Sequence, residues 1–145
     1  MNKEEKRIAR CLCLKALYAY SSSGNSFKDV IKNFYKDSNE FEYNINEDQI
    51  DYSSSLFDLT IKYELESDEL IISKLVNWDI KRLALLDKLI LRMSIAEMLY
   101  MKDVPPKVSI AEGVEIAKEF STIDSISFVN GILDAIYNDK EKVKE

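Results

Sequence analysis

Histidine is absent from this 145-residue chain. That removes imidazole from any metal or catalytic proposal, and with it every nucleophile that needs a histidine base. Three glycines and two prolines leave little material for turns, so long periodic segments and an all-α fold are expected. No phosphate-binding glycine loop and no nucleophile elbow is present. No run approaches the roughly 20 apolar residues of a membrane span. The short apolar run from Cys11 to Tyr20 is broken by Lys15 and lacks a clean small-residue cleavage site. A cytoplasmic protein without catalytic residues, metal or cofactor is therefore expected. The two cysteines, Cys11 and Cys13, point to opposite sides of a helix and read as core packing.

What the chain has is 46% apolar and 32% charged residues, enough for one globular domain with a real core. The net charge of −6 hides a polarised distribution. Residues 1–20 carry Lys3, Lys6, Arg7, Arg10 and Lys15 against Glu4 and Glu5, a net +3. Residues 37–69 carry eleven acids against Lys62, a net −10, and suit a solvated or protein-binding face.

The periodicity predicts a first helix over Lys3–Tyr20, ended by Ser21-Ser22-Ser23-Gly24-Asn25. Ser26 can cap a second helix bearing Phe27, Val30, Ile31 and Phe34. Residues 37–46 read as a loop. A third helix starts at Glu47, and Ser67 or Asp68 can cap a fourth. Trp78 precedes the most apolar stretch, residues 79–101, where Asp87 can cap a buried helix running to Met101. Within it Arg92, Ser94 and Glu97 must be paired or reach an edge. Val104-Pro105-Pro106 stops that helix, and Ser109-Ile110-Ala111-Glu112 fits a capping box. Gly113 then permits close approach of a neighbour. The last helix starts near Asp124 or Ser125. Asn130-Gly131 would suit a hairpin, but Phe128, Val129, Ile132, Leu133 and Ile136 keep helical spacing across it. The terminal residues, Asn138 to Glu145, are expected to fray.

Two features bear on function. Lys3, Lys6, Arg7 and Arg10 fall within an arc of about 100° on a helix. Such a strip suits a phosphate backbone, although a solvated helix face also explains it. Phe128 sits in the first turn of the last helix beside Asp124, Ser125 and Ser127. It can stack a base there, or it can belong to the core with Val129.

Lys6-Arg7-Ile8-Ala9-Arg10 with Ala16-Leu17-Tyr18, Trp78 with Arg82-Leu83, Asp87 to Arg92 with Ala96-Glu97, Val104 to Lys118, and Phe128 to Asp134 together resemble the NusB transcription antitermination family. The resemblance spans nearly the whole chain and is strongest from residue 78 onward. It implies an all-α domain of about seven helices in two small bundles, about residues 1–76 and 77–138. It implies binding of boxA-type ribosomal RNA together with the small-subunit ribosomal protein NusE, in service of the RNA polymerase antitermination complex. By position it points to Lys3, Lys6, Arg7, Arg10, Arg92, Asp124, Ser127 and Phe128 for RNA contact. A homodimer that covers the RNA face is compatible with it. The acidic middle and Ser127, which stands where the family often has a cation, motivate a second reading as a protein-interaction module with weak RNA affinity. A third is the accessory RNA-binding domain of an rRNA methyltransferase.

Overall fold

A computed structural model describes residues 1–36, 45–76 and 79–144. Most of the expected 37–46 loop, and Trp78, lie outside the described residues. Among those described there are seven α-helices, one short 3-10 helix and no strand. They form two compact units, Met1–Asp58 and Leu59–Glu145. The division between them falls inside the third helix, and the fourth helix packs on the fifth and seventh.

The first unit contains α1 (Lys3–Ser23), α2 (Phe27–Lys36) and most of α3 (Glu47–Lys62). Gly24 ends α1 in the left-handed conformation at φ 74°, its N–H reaching the Tyr20 carbonyl, a backbone state that favours glycine. Ser26 and Asp29 then close a reciprocal cap on α2: Asp29 N donates to Ser26 Oγ at 3.2 Å and Ser26 N to Asp29 Oδ2 at 3.1 Å. Ala9, Leu12, Cys13, Leu14, Ala16 and Leu17 of α1 are buried, as are Leu56 and Phe57 of α3. Each fully buried leucine of this set contributes roughly 1.5–3 kcal/mol. Phe57 takes Tyr20 edge-on at 5.8 Å between ring centroids and Phe27 at 5.5 Å.

The second unit contains α4 (Glu64–Lys74), the 3-10 helix Ile80–Arg82, α5 (Leu85–Tyr100), α6 (Pro106–Phe120) and α7 (Ile123–Lys144). α5 is the central helix: Leu89, Ile90, Leu91, Met93, Ile95, Ala96 and Met98 are all buried. Two of its charged residues, Arg92 and Glu97, find polar partners inside, as the apolar setting requires. Arg92 is clamped by Asp68 and Glu64 of α4, and Glu97 accepts from Ser109 Oγ of α6 at 2.8 Å. Gly113 provides the expected close approach, since a Cβ there would lie 2.6 Å from Ser94 Oγ and 3.2 Å from Leu133 Cδ1. Asn130 and Gly131 lie within α7.

Three expected caps fall elsewhere. Ser67 and Asp68 lie inside α4, whose N-terminus is at Glu64 after Tyr63. Ser109 lies inside α6, because Pro106 takes the first helical position, where a missing N–H costs nothing. Asp87 lies in the first turn of α5, and its carboxylate accepts the hydroxyls of Ser121, just past α6, and Ser125, in α7.

Candidate nucleic-acid interface

Within the first unit, the start of α1 is fixed by a small polar network. Asn2 and Glu5 cap each other, with Glu5 N donating to Asn2 Oδ1 at 2.8 Å and Asn2 N to Glu5 Oε1 at 3.2 Å. Asn46 Nδ2 reaches Glu5 Oε2 at 3.1 Å, and Gln49 Nε2 reaches the Glu5 carbonyl at 3.0 Å. Asn46 and Gln49 form the same reciprocal cap on α3. The N-termini of α1 and α3 are thereby held together. The hydrogen bonds from Asn2 and Asn46 keep the Glu5 carboxyl below its ordinary pKa.

Three of the four cations of the predicted strip lie at this end. Lys3 is exposed, while Lys6 and Arg7 are half-buried. Arg10 is not a surface cation: it is 3% exposed, its guanidinium 5.8 Å from the centre of the Tyr52 ring and 3.5 Å from the Tyr52 hydroxyl. α1 turns from surface to core at Ala9 and Arg10, one turn before Leu14.

Within the second unit, a cleft of about 360 Å³ is lined by Arg82, Leu83, Ala84, Asp87, Asp124, Ser125 and Phe128. Two helices begin at its wall. α5 starts just after Ala84, which offers no side-chain cap, and α7 starts at Ile123. Such N-termini present free N–H groups and the positive end of the helix dipole. Asp87, 8% exposed, receives Ser121 Oγ on one carboxylate oxygen and Ser125 Oγ on the other, each at 2.7 Å. The Thr122 and Ser125 hydroxyls lie 3.0 Å apart, and Ser125 N donates to Thr122 Oγ1 at 3.3 Å. The α6–α7 joint is therefore tied to the first turn of α5.

Phe128 is half-buried and faces the cleft, while Val129, Ile132 and Ile136 on the same arc are buried. It is thus neither wholly core nor wholly surface. Asp124 is exposed and lines the cleft; Ser127 is exposed and does not line it. Arg92 is elsewhere. Its Nε and Nη2 donate to the two oxygens of Asp68 at 2.7 and 2.9 Å, and Nη1 lies 2.9 Å from Glu64. Burial disfavours the charge of Arg92, but these hydrogen bonds and the charges of Asp68 and Glu64 outweigh it and raise its pKa.

The exposed cation of the cleft is Arg82. Its only sequence signal was its place beside Leu83 in the family pattern, since a three-residue helix has no periodicity. An aromatic face, a guanidinium and two helix N-termini can hold an unstacked nucleotide, base on ring and phosphate near the cation. Among the described residues no cluster of His, Cys, Asp or Glu is placed to hold a metal ion, and no helix is long and apolar enough to cross a membrane.

The sequence matches the NusB family over residues 7–138. This chain belongs to the NusB family. It is 39% identical over 134 residues to a transcription antitermination protein NusB of Chloroherpeton thalassium, an alignment covering 92% of this chain and 62% of that protein. Its fold is similar to a chain in a crystal structure of antitermination factors NusB and NusE in complex with double-stranded RNA. There the TM-score is 0.79 at 25% identity, over 95% of this chain and 99% of the other. It is equally similar to T. maritima NusB, with TM-score 0.79, 28% identity and 97% coverage of each chain. The parts of the NusB-like pattern from Asp87 to Arg92 and from Phe128 to Asp134 thus fall on α5 and α7, the helices whose starts flank the cleft.

Proposed function

We propose that this NusB-family chain is a non-enzymatic, cytoplasmic RNA-binding adaptor for transcription antitermination. It binds boxA-type leader RNA of ribosomal transcripts together with NusE and joins the RNA polymerase antitermination complex. The cleft bearing Phe128 and Arg82 at the starts of α5 and α7 carries this reading. Supporting it are the cations Lys3, Lys6 and Arg7 at the start of α1, and the likeness to a structure of NusB and NusE with RNA. Phosphate contacts supply affinity and the unstacked base supplies selectivity.

The test is a titration of the full chain with boxA RNA, with scrambled RNA, and with each in the presence of NusE. Preferential boxA binding, strengthened by NusE and lost in Phe128→Ala, is expected. Equal affinity for the scrambled RNA under both conditions would sink the proposal.

The burial of Arg10 and the internal pairing of Arg92 favour a second reading, a protein-interaction module with weak RNA affinity. Capture of NusE unchanged by nuclease, with no measurable binding of RNA alone, would select it.

A further inference from the structure

The cleft has a second acid in its wall besides the exposed Asp124. Asp87 is 8% exposed, and both of its carboxylate oxygens are taken, Oδ1 by Ser121 and Oδ2 by Ser125, each at 2.7 Å. By charge alone a carboxylate lining an RNA cleft is a liability, because it repels phosphate. The hydrogen bonds of Asp87 give it another role.

Those bonds have a direction. An ionised carboxylate is an acceptor, so Ser121 and Ser125 both donate to it. Ser125 has one hydroxyl proton, which is committed there. The 3.0 Å contact between the Thr122 and Ser125 hydroxyls is then donated by Thr122. Thr122 in turn caps α7: its Oγ1 accepts Ser125 N–H at 3.3 Å, and its carbonyl accepts Ile126 N–H. The hydroxyls at the start of α7 are thus all directed toward one carboxylate on α5, and charge-assisted bonds of this kind are the strong ones. Phe128 follows Ser125 by three residues, so the two lie on one face of α7, and both line the cleft with Asp87.

We infer that Asp87 is a positioning residue for base binding. Through Ser121 and Ser125 it sets the first turn of α7, and with it the place of the Phe128 ring in the cleft. This rests on the proposed function, and it assigns Asp87 no contact with the RNA itself.

Titrations of boxA RNA and of scrambled RNA into the full chain, without NusE, test it. Asp87→Ala is expected to bind boxA RNA at least about fivefold more weakly, the loss of a stacked base. It should bind scrambled RNA as the parent does, where a merely destabilised protein would lose both. The salt slope should stay at the parent value, since no phosphate contact is removed. The double variant Ser121→Ala and Ser125→Ala should lose as much, and adding Asp87→Ala to it should change boxA affinity by less than about twofold, because the three residues act as one unit.

If Asp87→Ala does not fold, the serine double variant carries the test, and parent-like boxA affinity in it overturns the inference. Unchanged or tighter boxA binding by folded Asp87→Ala also overturns it, since that is what removal of a repelling charge alone would give. Losses that multiply across the triple variant overturn it too, because Asp87 would then act on the RNA directly. In each of these cases a parent that prefers boxA RNA leaves the adaptor reading standing. A parent without that preference overturns the adaptor reading and the inference with it.

Discussion

Gly113 and Ser94 meet where α6 crosses α5: a methyl group on Gly113 would stand 2.6 Å from the serine oxygen. No real Cβ tolerates that distance, so Gly113→Ala must push the two helices apart or force Ser94 into another rotamer. Overpacking of this kind costs about 1–3 kcal/mol, more than the helix propensity gained. Ser94→Ala in the same chain removes the 2.6 Å contact and should recover part of the loss. Gly131 offers the control. It is exposed within α7, and a methyl group added there would meet nothing within 4 Å, so Gly131→Ala should stabilise by about 0.5–1 kcal/mol. Urea denaturation of the parent and these variants measures all of this, and a neutral Gly113→Ala would refute the packing argument.

The arginines divide by what they touch. Lys6 and Arg7 sit at the helix start, so replacing either by alanine should lower the salt dependence of RNA affinity by about one unit of slope. Arg10 and Arg92 are held by Tyr52 and by Asp68 with Glu64. Arg92→Ala leaves Asp68 half-buried beside a lost partner and should cost about 1–3 kcal/mol of stability. Its salt slope for RNA should stay at the parent value. Denaturation and RNA titrations at several salt concentrations separate the two groups. A shallower slope in folded Arg92→Ala would return that residue to the RNA contacts.

Acid should loosen the start of α1. The Asn2 N–H, and after it the Asn46 side chain, hold the Glu5 pKa below its ordinary value of 4.5. A depressed folded-state value means that the contribution is complete above that ordinary pKa and is lost as pH falls from there through the folded-state value. Carbon-13 titration of the Glu5 carboxyl should give a midpoint below 4.5, with amide protection at Glu5 and Lys6 declining over the same range. Asn46→Ala, which removes the side-chain donor to the Glu5 carboxylate, should move the midpoint upward. An unperturbed midpoint in the parent would show that the cap does not form in solution.

Much of the helix pattern was readable because it is local. The Gly24 turn, the Ser26–Asp29 cap and the helical spacing across Asn130-Gly131 each depend on neighbours within four residues. The lost caps show where local rules compete. A serine followed three residues on by glutamate reads as a capping box, yet Pro106 starts α6 earlier and Ser109 turns to Glu97. The fate of the arginines is non-local. Arg10 meets a tyrosine 42 residues further on, and Arg92 an aspartate 24 residues earlier, distances no periodicity encodes. Arg82 escaped for the opposite reason: its element is too short to have a pattern, and only the folded chain brings it to Phe128.

The double acceptance at Asp87 determines when the entropy of ordering the cleft is lost. Because Ser121 and Ser125 are already bound to it, the start of α7 is set during folding and need not be ordered again at each encounter. A ligand then meets a finished surface. Its arrival rate is governed by diffusion and the surrounding charge, and differences among ligands fall on how long each one stays.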